Sequence, residues 1–157
     1  MVNPWHPAEA RVSEQDELNT GLLLFIPYRA LELRVYAAVR DAGFDDATPA
    51  QLRVFQRIGP HGTRLTELAE AAEITKQTAG FLVDQLEAAG YVERVPDPAD
   101  RRARLVRVTA RGEAASRVAA AELARVEEEW TAHLGARGMA SLRRQLTRLR
   151  EITDPWA

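Results

Sequence analysis

The sequence of 157 residues contains no cysteine. This absence excludes disulfide frameworks, thiolate zinc sites, iron–sulfur clusters and redox sensing through a thiol. Histidine is scarce as well, because the chain has only His6, His61 and His133, and these are too far apart in the sequence to form a local group of metal ligands. We therefore expect no metal site and no cofactor.

Long hydrophobic runs are also missing. The longest covers the five residues 22–26, whereas a helix that spans a bilayer needs about 20 apolar residues. The first ten residues are polar and include proline, and they lack the basic and then apolar layout of a signal peptide. The sequence thus predicts a cytoplasmic protein that does not enter a membrane.

Lysine is nearly absent, since the 21 basic residues are 20 arginines and Lys76. The net charge of −2 argues against a protein that coats nucleic acid without selectivity. Residues 1–47 carry a net charge of −4, residues 48–112 carry +2 and residues 113–157 are neutral. The one basic concentration is a local +3 in residues 91–111, where six arginines accompany three acidic side chains.

Apolar residues at spacings of three and four predict a long first helix from about Ser13 to Ala42. Pro27 should kink this helix because proline lacks the N–H that a helical hydrogen bond needs. Gly43 should end it. Thr48 followed by proline is typical of a cap and first turn, and predicts a second helix that stops at Gly59.

Two short helices should follow, joined by a turn of about three residues at Glu73 and Ile74. Thr75 is placed to cap the second of them, which we term the recognition helix and which Gly90 should end. Helices of this length joined by so tight a turn form a helix-turn-helix. Their apolar stripes share one spacing and consist of Leu65, Leu68, Ala69 and Ala72, and of Ala79, Leu82, Val83 and Leu86.

Two alternating segments, residues 91–95 and 104–108, predict a β-hairpin directly after the helix-turn-helix. Residues 96–102 have the composition of a turn, so the hairpin should carry Arg101 and Arg102 at its tip and serve as a wing. From Thr109 the chain should be helical again, with breaks at Gly135 and Gly138. The predicted fold class is therefore mainly α (α+β), a winged helix-turn-helix with long terminal helices.

The apolar stripes of the terminal helices are too long for the middle domain to cover. We therefore expect a homodimer in which the first and last helices of two chains interdigitate. The domain prediction is an N-terminal dimerisation arm at 1–47, a winged helix-turn-helix domain at 48–112 and C-terminal dimerisation helices at 113–157.

The recognition helix has the composition of a DNA-reading helix. An α-helix fits the major groove of DNA, where side chains of its first turns reach the base edges. Gln77 can pair with adenine, Lys76 can reach a phosphate or guanine, and the N–H groups at the Thr75 cap suit a phosphate. The predicted contacts from this helix are Thr75, Lys76, Gln77, Thr78, Gly80, Phe81 and Gln85.

Phe81 and Asp84 both face away from the predicted core, and each has two interpretations. Phe81 either packs under the wing or a neighbouring helix, or it contacts thymine methyl groups. Asp84 either accepts from a cytosine amino group or lies beyond the contact zone. Glycine at position 80 is roughly 1 kcal/mol less favourable than alanine in a helix interior. A close approach of DNA to the helix would explain why a residue without a side chain is present there.

The wing supplies the remaining predicted contacts. Arg101 and Arg102 could enter a minor groove, whose negative potential favours arginine where the groove is narrow. Asp100 could hold one of them by a bidentate pair. Arg104 and Arg107 would meet phosphates, which gives affinity without sequence information.

The whole pattern resembles the MarR family of bacterial transcriptional regulators. The resemblance rests on residues 68–70 (LAE), 74–78 (ITKQT), 82–87 (LVDQLE), 90–94 (GYVER), 97–102 (DPADRR) and 108–112 (VTARG). It implies a homodimer on double-stranded DNA with a pseudo-palindromic operator, and a wing-tip pair of Asp100 with Arg102, the latter in the minor groove. Glu73 stands where the family often has glycine, and Ala79 and Gly80 replace the usual β-branched and hydroxyl residues. Because of these departures, the base contacts cannot be copied from other members of the family.

The resemblance also implies a small effector, often aromatic or phenolic, in a crevice between the dimerisation helices and the DNA-binding lobe. Phe25, Tyr28 and Arg29 are candidates for its lining by position, although aromatic residues there can equally belong to a core or a dimer interface. The leading prediction is a repressor of its own or adjacent genes. The alternative is a winged-helix module for protein–protein contacts without DNA binding, anchored by Phe81. No residues pair a nucleophile with a base, so we expect no enzyme and no catalytic residues.

Overall fold

The computed structural model describes residues 18–154, which form five helices and a three-stranded antiparallel sheet. The sheet has the strand order β1-β3-β2, so the hairpin of β2 and β3 gains a short third strand. This architecture confirms the predicted mainly α winged helix-turn-helix. The elements are α1 (Thr20–Asp41), α2 (Pro49–Phe55), β1 (Thr63–Arg64), α3 (Leu65–Ala71), α4 (Lys76–Ala88), β2 (Val92–Asp97), β3 (Asp100–Val108) and α5 (Ala110–Thr153).

The first helix begins later than predicted. Asn19 is extended (φ −63°, ψ 158°), and its side chain caps α1 by accepting from the Leu22 N–H at 3.0 Å. The helix α1 therefore begins at Thr20, because the capping residue Asn19 is itself extended, and the predicted start near Ser13 is wrong for this helix. Residues 13–17 lie outside the described part. Pro27 lies within α1. The end is as predicted, since Gly43 adopts a φ of 90° beyond the last turn.

The caps of the next helices are local and also as predicted. Thr48 and Gln51 form a reciprocal capping box at the start of α2. Thr75 caps α4 by accepting from the Thr78 N–H at 3.1 Å. Between α3 and α4, Glu73 adopts a φ of 54° and occupies the position after the helix end that favours glycine.

The core lies between α2, α3, α4, the sheet and the first turns of α5. Gly112 shows how close these elements come, because a Cβ atom there would lie 2.3 Å from the Tyr91 carbonyl oxygen. Only glycine lets α5 begin against the start of β2. The buried core side chains are Ala47, Val54, Leu68, Val83, Leu86, Tyr91, Val92, Val106 and Ala115.

The long helix α5 is interrupted at Gly135, whose φ of 75° and ψ of 156° are not helical. Gly138 continues the helix, so the predicted break is confirmed at the first glycine and wrong at the second. An Arg143 guanidinium N–H donates to the Glu127 carboxylate at 2.8 Å. Sixteen residues of straight helix would separate them by about 24 Å. The second segment of α5 therefore folds back along the first.

None of the helices within residues 18–154 is both long enough and apolar enough to cross a membrane.

Candidate nucleic-acid interface

The outward face of α4 is exposed along its first two turns. The four residues Thr75 to Thr78 are exposed, and Phe81 one turn later retains 61% of its accessible surface. The hypothesis that Phe81 packs under the wing or a neighbouring helix is therefore wrong. Thr75 and Thr78 bond to each other within the cap, with 2.8 Å between their hydroxyl oxygens. The side chains of Lys76 and Gln77 make no hydrogen bond or ion pair with another residue of the described part of the chain.

Gly80 lies between these side chains, and the packing around it does not require a glycine. A Cβ atom there would meet only Leu65 Cδ2 at 3.7 Å, an ordinary van der Waals contact. Nothing in the described part of the chain therefore requires glycine at this place in α4. A close approach from outside remains the prediction for Gly80.

The two acidic side chains of α4, Asp84 and Glu87, share one arginine of β2. An Arg94 guanidinium N–H donates to Asp84 Oδ1 at 2.5 Å, and the same guanidinium pairs with Glu87. Asp84 is therefore held in an ion pair, which disfavours the interpretation that it accepts from a cytosine amino group. Spacing along the sequence does not indicate this pairing, because Asp84 and Arg94 belong to different elements.

The wing is longer and its turn shorter than predicted. The strands continue to Asp97 and from Asp100, so only Pro98 and Ala99 form the turn. Residue 96 pairs with 104 and residue 97 with 100, which leaves residues 101–103 as a bulge in β3. The prediction that all of residues 96–102 form the turn is wrong, because the strands extend past the alternating segments. Arg101 and Arg102 lie in this bulge and are exposed.

The contact between Asp100 and Arg102 also differs from the prediction. Asp100 Oδ1 accepts from the backbone N–H of Arg102 at 3.0 Å. Among the ion pairs of the described residues, none joins Asp100 to the guanidinium of Arg101 or Arg102. The predicted bidentate pair is thus absent from this part of the chain, because the carboxylate stabilises the bulge backbone and leaves the arginine head groups outward.

A different ion pair holds the wing against the domain. The Arg64 guanidinium donates to Asp97 Oδ2 from Nε at 2.8 Å and from Nη2 at 2.6 Å. Asp97 is 5% exposed and also accepts from the Ala99 N–H at 2.8 Å. The Ala99 N–H and then Arg64 hold the pKa of Asp97 below its usual value. Sequence reasoning missed this anchor because the two side chains are 33 positions apart and β1 is only two residues long.

The wing arginines divide into paired and unpaired side chains. Arg107 lies opposite Glu93 in the register and donates to it at 2.7 Å, so a phosphate contact from Arg107 would require it to exchange partners. Arg104 makes no ion pair within residues 18–154. The cations of this face that make no ion pair with another described residue are Lys76, Arg101, Arg102 and Arg104.

Arg111, which contributed to the predicted basic segment, points elsewhere. Its guanidinium donates to Asp46 at 2.9 and 3.0 Å, bonds to the Ala89 carbonyl oxygen and lies 4.4 Å from the centre of the Tyr91 ring. Burial, and then the hydrogen bond that the Tyr91 hydroxyl donates to Asp46, raises the pKa of Tyr91 to about 12. This cluster ties the end of α4 to the start of α5.

Gln85 is exposed, but its side-chain amide forms a hydrogen bond within the domain. Its Oε1 accepts from Nε2 of the buried Gln51 at 2.6 Å, so the recognition helix α4 is bonded directly to α2.

A cavity of about 330 Å³ lies between α1, α2 and the first part of α5. Tyr28, one of the predicted lining residues, lines it, whereas Phe25 and Arg29 do not. Its walls are mainly apolar, and its charged pair is Glu32 with Arg53, which donates to Glu32 at 2.8 Å. The hydrogen bond from the Arg53 guanidinium is the main cause that holds the pKa of Glu32 below its usual value. Partial burial opposes this effect, and the bond from Arg29 adds to it. Phe25 is exposed, and Arg29 pairs with Glu32 without itself lining the cavity.

No group of acidic and histidine side chains within residues 18–154 is arranged to hold a metal ion.

Comparisons with known proteins agree with this geometry. The sequence pattern of the MarR family matches residues 45–103, which include α2 and most of the wing. The transcriptional regulator HosA of Escherichia coli O111:H- is 41% identical over 69 residues, or 43% of this chain. The match spans only about half of that relative, namely 51% of its length.

Solved structures extend the similarity to most of the chain. The transcriptional regulator Tm0710 from Thermotoga maritima is 30% identical with a TM-score of 0.59, over 84% of this chain and 92% of that one. A crystal structure of MarR is 28% identical with a TM-score of 0.67, over 87% and 98% of the two chains. A mutant MarR from E. coli, complexed with operator DNA, shares the fold at 24% identity and a TM-score of 0.64, over 82% and 91%. The chain belongs to the MarR family of transcriptional regulators.

Proposed function

We propose that this protein regulates transcription by binding a pseudo-palindromic operator as a homodimer, with α4 in the major groove and the β3 bulge at a minor groove. The observation that carries the proposal is the outward face of α4, where Gln77 and Phe81 are exposed and lack partners in the described residues. An exposed phenylalanine on a short helix is unfavourable in water, whereas thymine methyl groups can cover it. The operator complex of the related E. coli protein has the same fold and supports this interpretation.

The charges on this face agree with a DNA partner. Lys76 lies in the exposed first turn of α4, and Arg101, Arg102 and Arg104 lie on one strand of the wing. Arg94 pairs with both Asp84 and Glu87 and offsets one of their two negative charges, which reduces their repulsion of phosphates. The net charge of −2 therefore does not oppose binding, because the cations are concentrated where the backbone of DNA would lie.

The dimer is supported by apolar surface on the terminal helices. Side chains on both α1 and α5 are exposed although they are large and apolar, and a second copy of the chain would cover them. A sedimentation measurement at micromolar concentration should give twice the 17.5 kDa of one chain, and a monomer would contradict the proposal. These side chains are Leu22, Leu23, Leu24, Phe25, Ile26, Leu33, Leu123, Leu134, Leu146, Leu149 and Ile152.

Repression relieved by a small molecule is the regulatory part of the proposal. The cavity between α1, α2 and α5 has the size and apolar walls of a small-molecule site, and Tyr28 and the Glu32–Arg53 pair supply polar groups. An aromatic or phenolic compound fits these walls. Because α2 both lines the cavity and bonds to α4, a compound there would change the position of the recognition helix.

The test is footprinting on the DNA that flanks the gene of this protein, at two salt concentrations and with a panel of phenolic compounds. We expect two protected half-sites about 10–10.5 base pairs apart, or a multiple of that spacing. Affinity should fall steeply with salt, and an effector should release the protein. The alternative function, a protein–protein module anchored by Phe81, predicts no protected site and little salt dependence of partner binding.

A further inference from the structure

We propose that Gln51 fixes the side-chain amide of Gln85 so that Gln85 acts toward DNA only as a hydrogen-bond donor. Gln51 is 6% exposed and lies in the first turn of α2. Its Oε1 accepts from the Thr48 backbone N–H at 2.7 Å, and its Nε2 donates to Gln85 Oε1 at 2.6 Å. The inference rests on the proposed DNA-binding function and assigns a positioning role to a residue that does not itself reach DNA.

The direction of this relay follows from its first member. A backbone N–H can only donate, so the Gln51 atom that faces Thr48 must be the amide oxygen. The other end of the Gln51 amide is then the NH₂ group, and the Gln85 atom facing it must be an oxygen. The remaining polar group of Gln85 is its own NH₂, which carries two donors and is left for an external partner.

Gln85 lies where those donors can be used. It is exposed and comes four residues after Phe81, so the two side chains are neighbours along one flank of α4. A glutamine with a free amide pairs with adenine by accepting from N6 while donating to N7. Gln85 is not oriented to do this, because its oxygen faces Gln51 on α2 and only its NH₂ group is left toward an external base. It can donate to guanine N7 or O6, to thymine O4 or to a phosphate.

Gln77 provides the contrast within the same helix. Its amide makes no hydrogen bond with another residue of the described part, so it can present the donor and the acceptor together. The two glutamines of α4 therefore differ in the hydrogen-bonding groups that they can offer to DNA, and this difference cannot be read from the sequence alone. The difference is set by α2.

The experiment compares two substitutions of Gln51. In Gln51→Glu, one carboxylate oxygen still accepts from Thr48 and the other faces Gln85. The Gln85 amide must then turn its NH₂ group inward and present its oxygen to DNA. In Gln51→Met, a side chain of similar length makes neither bond, so Gln85 rotates freely. Affinities are measured for the footprinted operator and for variants with each base pair of a half-site replaced in turn.

We expect Gln51→Glu to change the preference at one position per half-site, from a base that offers an acceptor to cytosine or adenine, whose amino groups donate. Operator affinity should fall by about tenfold per half-site, or about a hundredfold for the dimer, as for the loss of one base contact in each subunit. Gln51→Met should relax the preference there without inverting it. If both variants give the wild-type preference, or the same altered preference, Gln51 has no orienting role and the inference is wrong.

A second readout needs no DNA. In the wild-type protein, NMR should show the Gln85 side-chain NH₂ protons exchanging rapidly with water, and in Gln51→Glu they should be protected. Protected Gln85 NH₂ protons in the wild type would overturn the inference even if the operator is bound. A wild-type protein with this orientation that binds no operator would overturn the proposed function, and with it the role of Gln85 toward DNA.

Discussion

Replacing Gly80 by alanine should change stability and DNA affinity in opposite directions. Gly80 lies inside α4, a helix of 13 residues. Alanine is favoured over glycine in a helix interior by about 0.8–1 kcal/mol. The added Cβ would lie 3.7 Å from Leu65 Cδ2, so no clash reduces this gain. We therefore expect Gly80→Ala to raise the midpoint of thermal unfolding by about 2–4 °C for a chain of this size.

The same methyl group should weaken operator binding. If Gly80 is retained because DNA approaches the helix closely, the methyl group displaces α4 and loosens the base contacts of the neighbouring side chains. Each good base contact contributes about 1–3 kcal/mol of discrimination, so a loss of about tenfold or more in affinity is expected. Thermal unfolding at a fixed protomer concentration and fluorescence anisotropy on the footprinted operator measure the two effects.

Glu73→Gly is the matched control. Glu73 adopts a φ of 54° after α3, where a side chain costs about 1–2 kcal/mol relative to glycine. This variant should be stabilised to a similar extent without adding an atom to the outward face of α4, so its operator affinity should not fall. The reasoning about the interface is refuted if Gly80→Ala is stabilised and binds the operator as tightly as the wild type. The reasoning about packing is refuted if Gly80→Ala is destabilised.

Three further substitutions test other parts of the account. Arg102→Ala should weaken binding to all DNA sequences and reduce the magnitude of the slope of log affinity against log salt by about one per subunit, or about two for the homodimer; an unchanged slope would exclude a phosphate contact. Tyr91→Phe should cost about 1.5–3 kcal/mol in denaturant unfolding, because it removes the donor to the Asp46 carboxylate. Because the pKa of Tyr91 is raised to about 12, the stability that its hydroxyl contributes to the folded protein is complete below the ordinary pKa of about 10 and is lost as the pH rises toward 12. Tyr91→Phe should not show this loss. Because the pKa of Asp97 is lowered, the stability that this carboxylate contributes is present above about pH 4 and is lost as the pH falls further. The free energy of unfolding of Asp97→Asn should therefore depend less on acid pH than that of the wild type. Equal acid profiles would contradict the Arg64 anchor.

The local features of the fold could be predicted from the sequence. The caps at Thr48 and Thr75 and the helix ends at Gly43 and Gly90 each depend on a few neighbouring residues, and the structure has them where they were expected. The spacing of apolar residues likewise identified the buried side of α4. Such signals need no knowledge of the tertiary structure, because the hydrogen bonds concerned join residues only a few positions apart.

The remaining features depend on contacts between distant residues. The strand β1 has two residues and no alternation, so only its pairing with β3 defines it. The partners of Asp84 and Gln85 come from β2 and α2, and neither could be found from spacing along one helix. The bulge that carries Arg101 depends on the register of the hairpin, which the turn composition alone does not determine.

The central claim is that the outward face of α4 and the wing bind a specific operator. Footprinting of the wild-type protein beside Arg102→Ala and Gly80→Ala, on the DNA that flanks its gene, tests it most directly. The account predicts a two-fold symmetric footprint with half-sites spaced by about 10–10.5 base pairs or a multiple of it, weakened in both variants. A wild-type protein that protects no site at low salt, or protects one equally in all three forms, would contradict it.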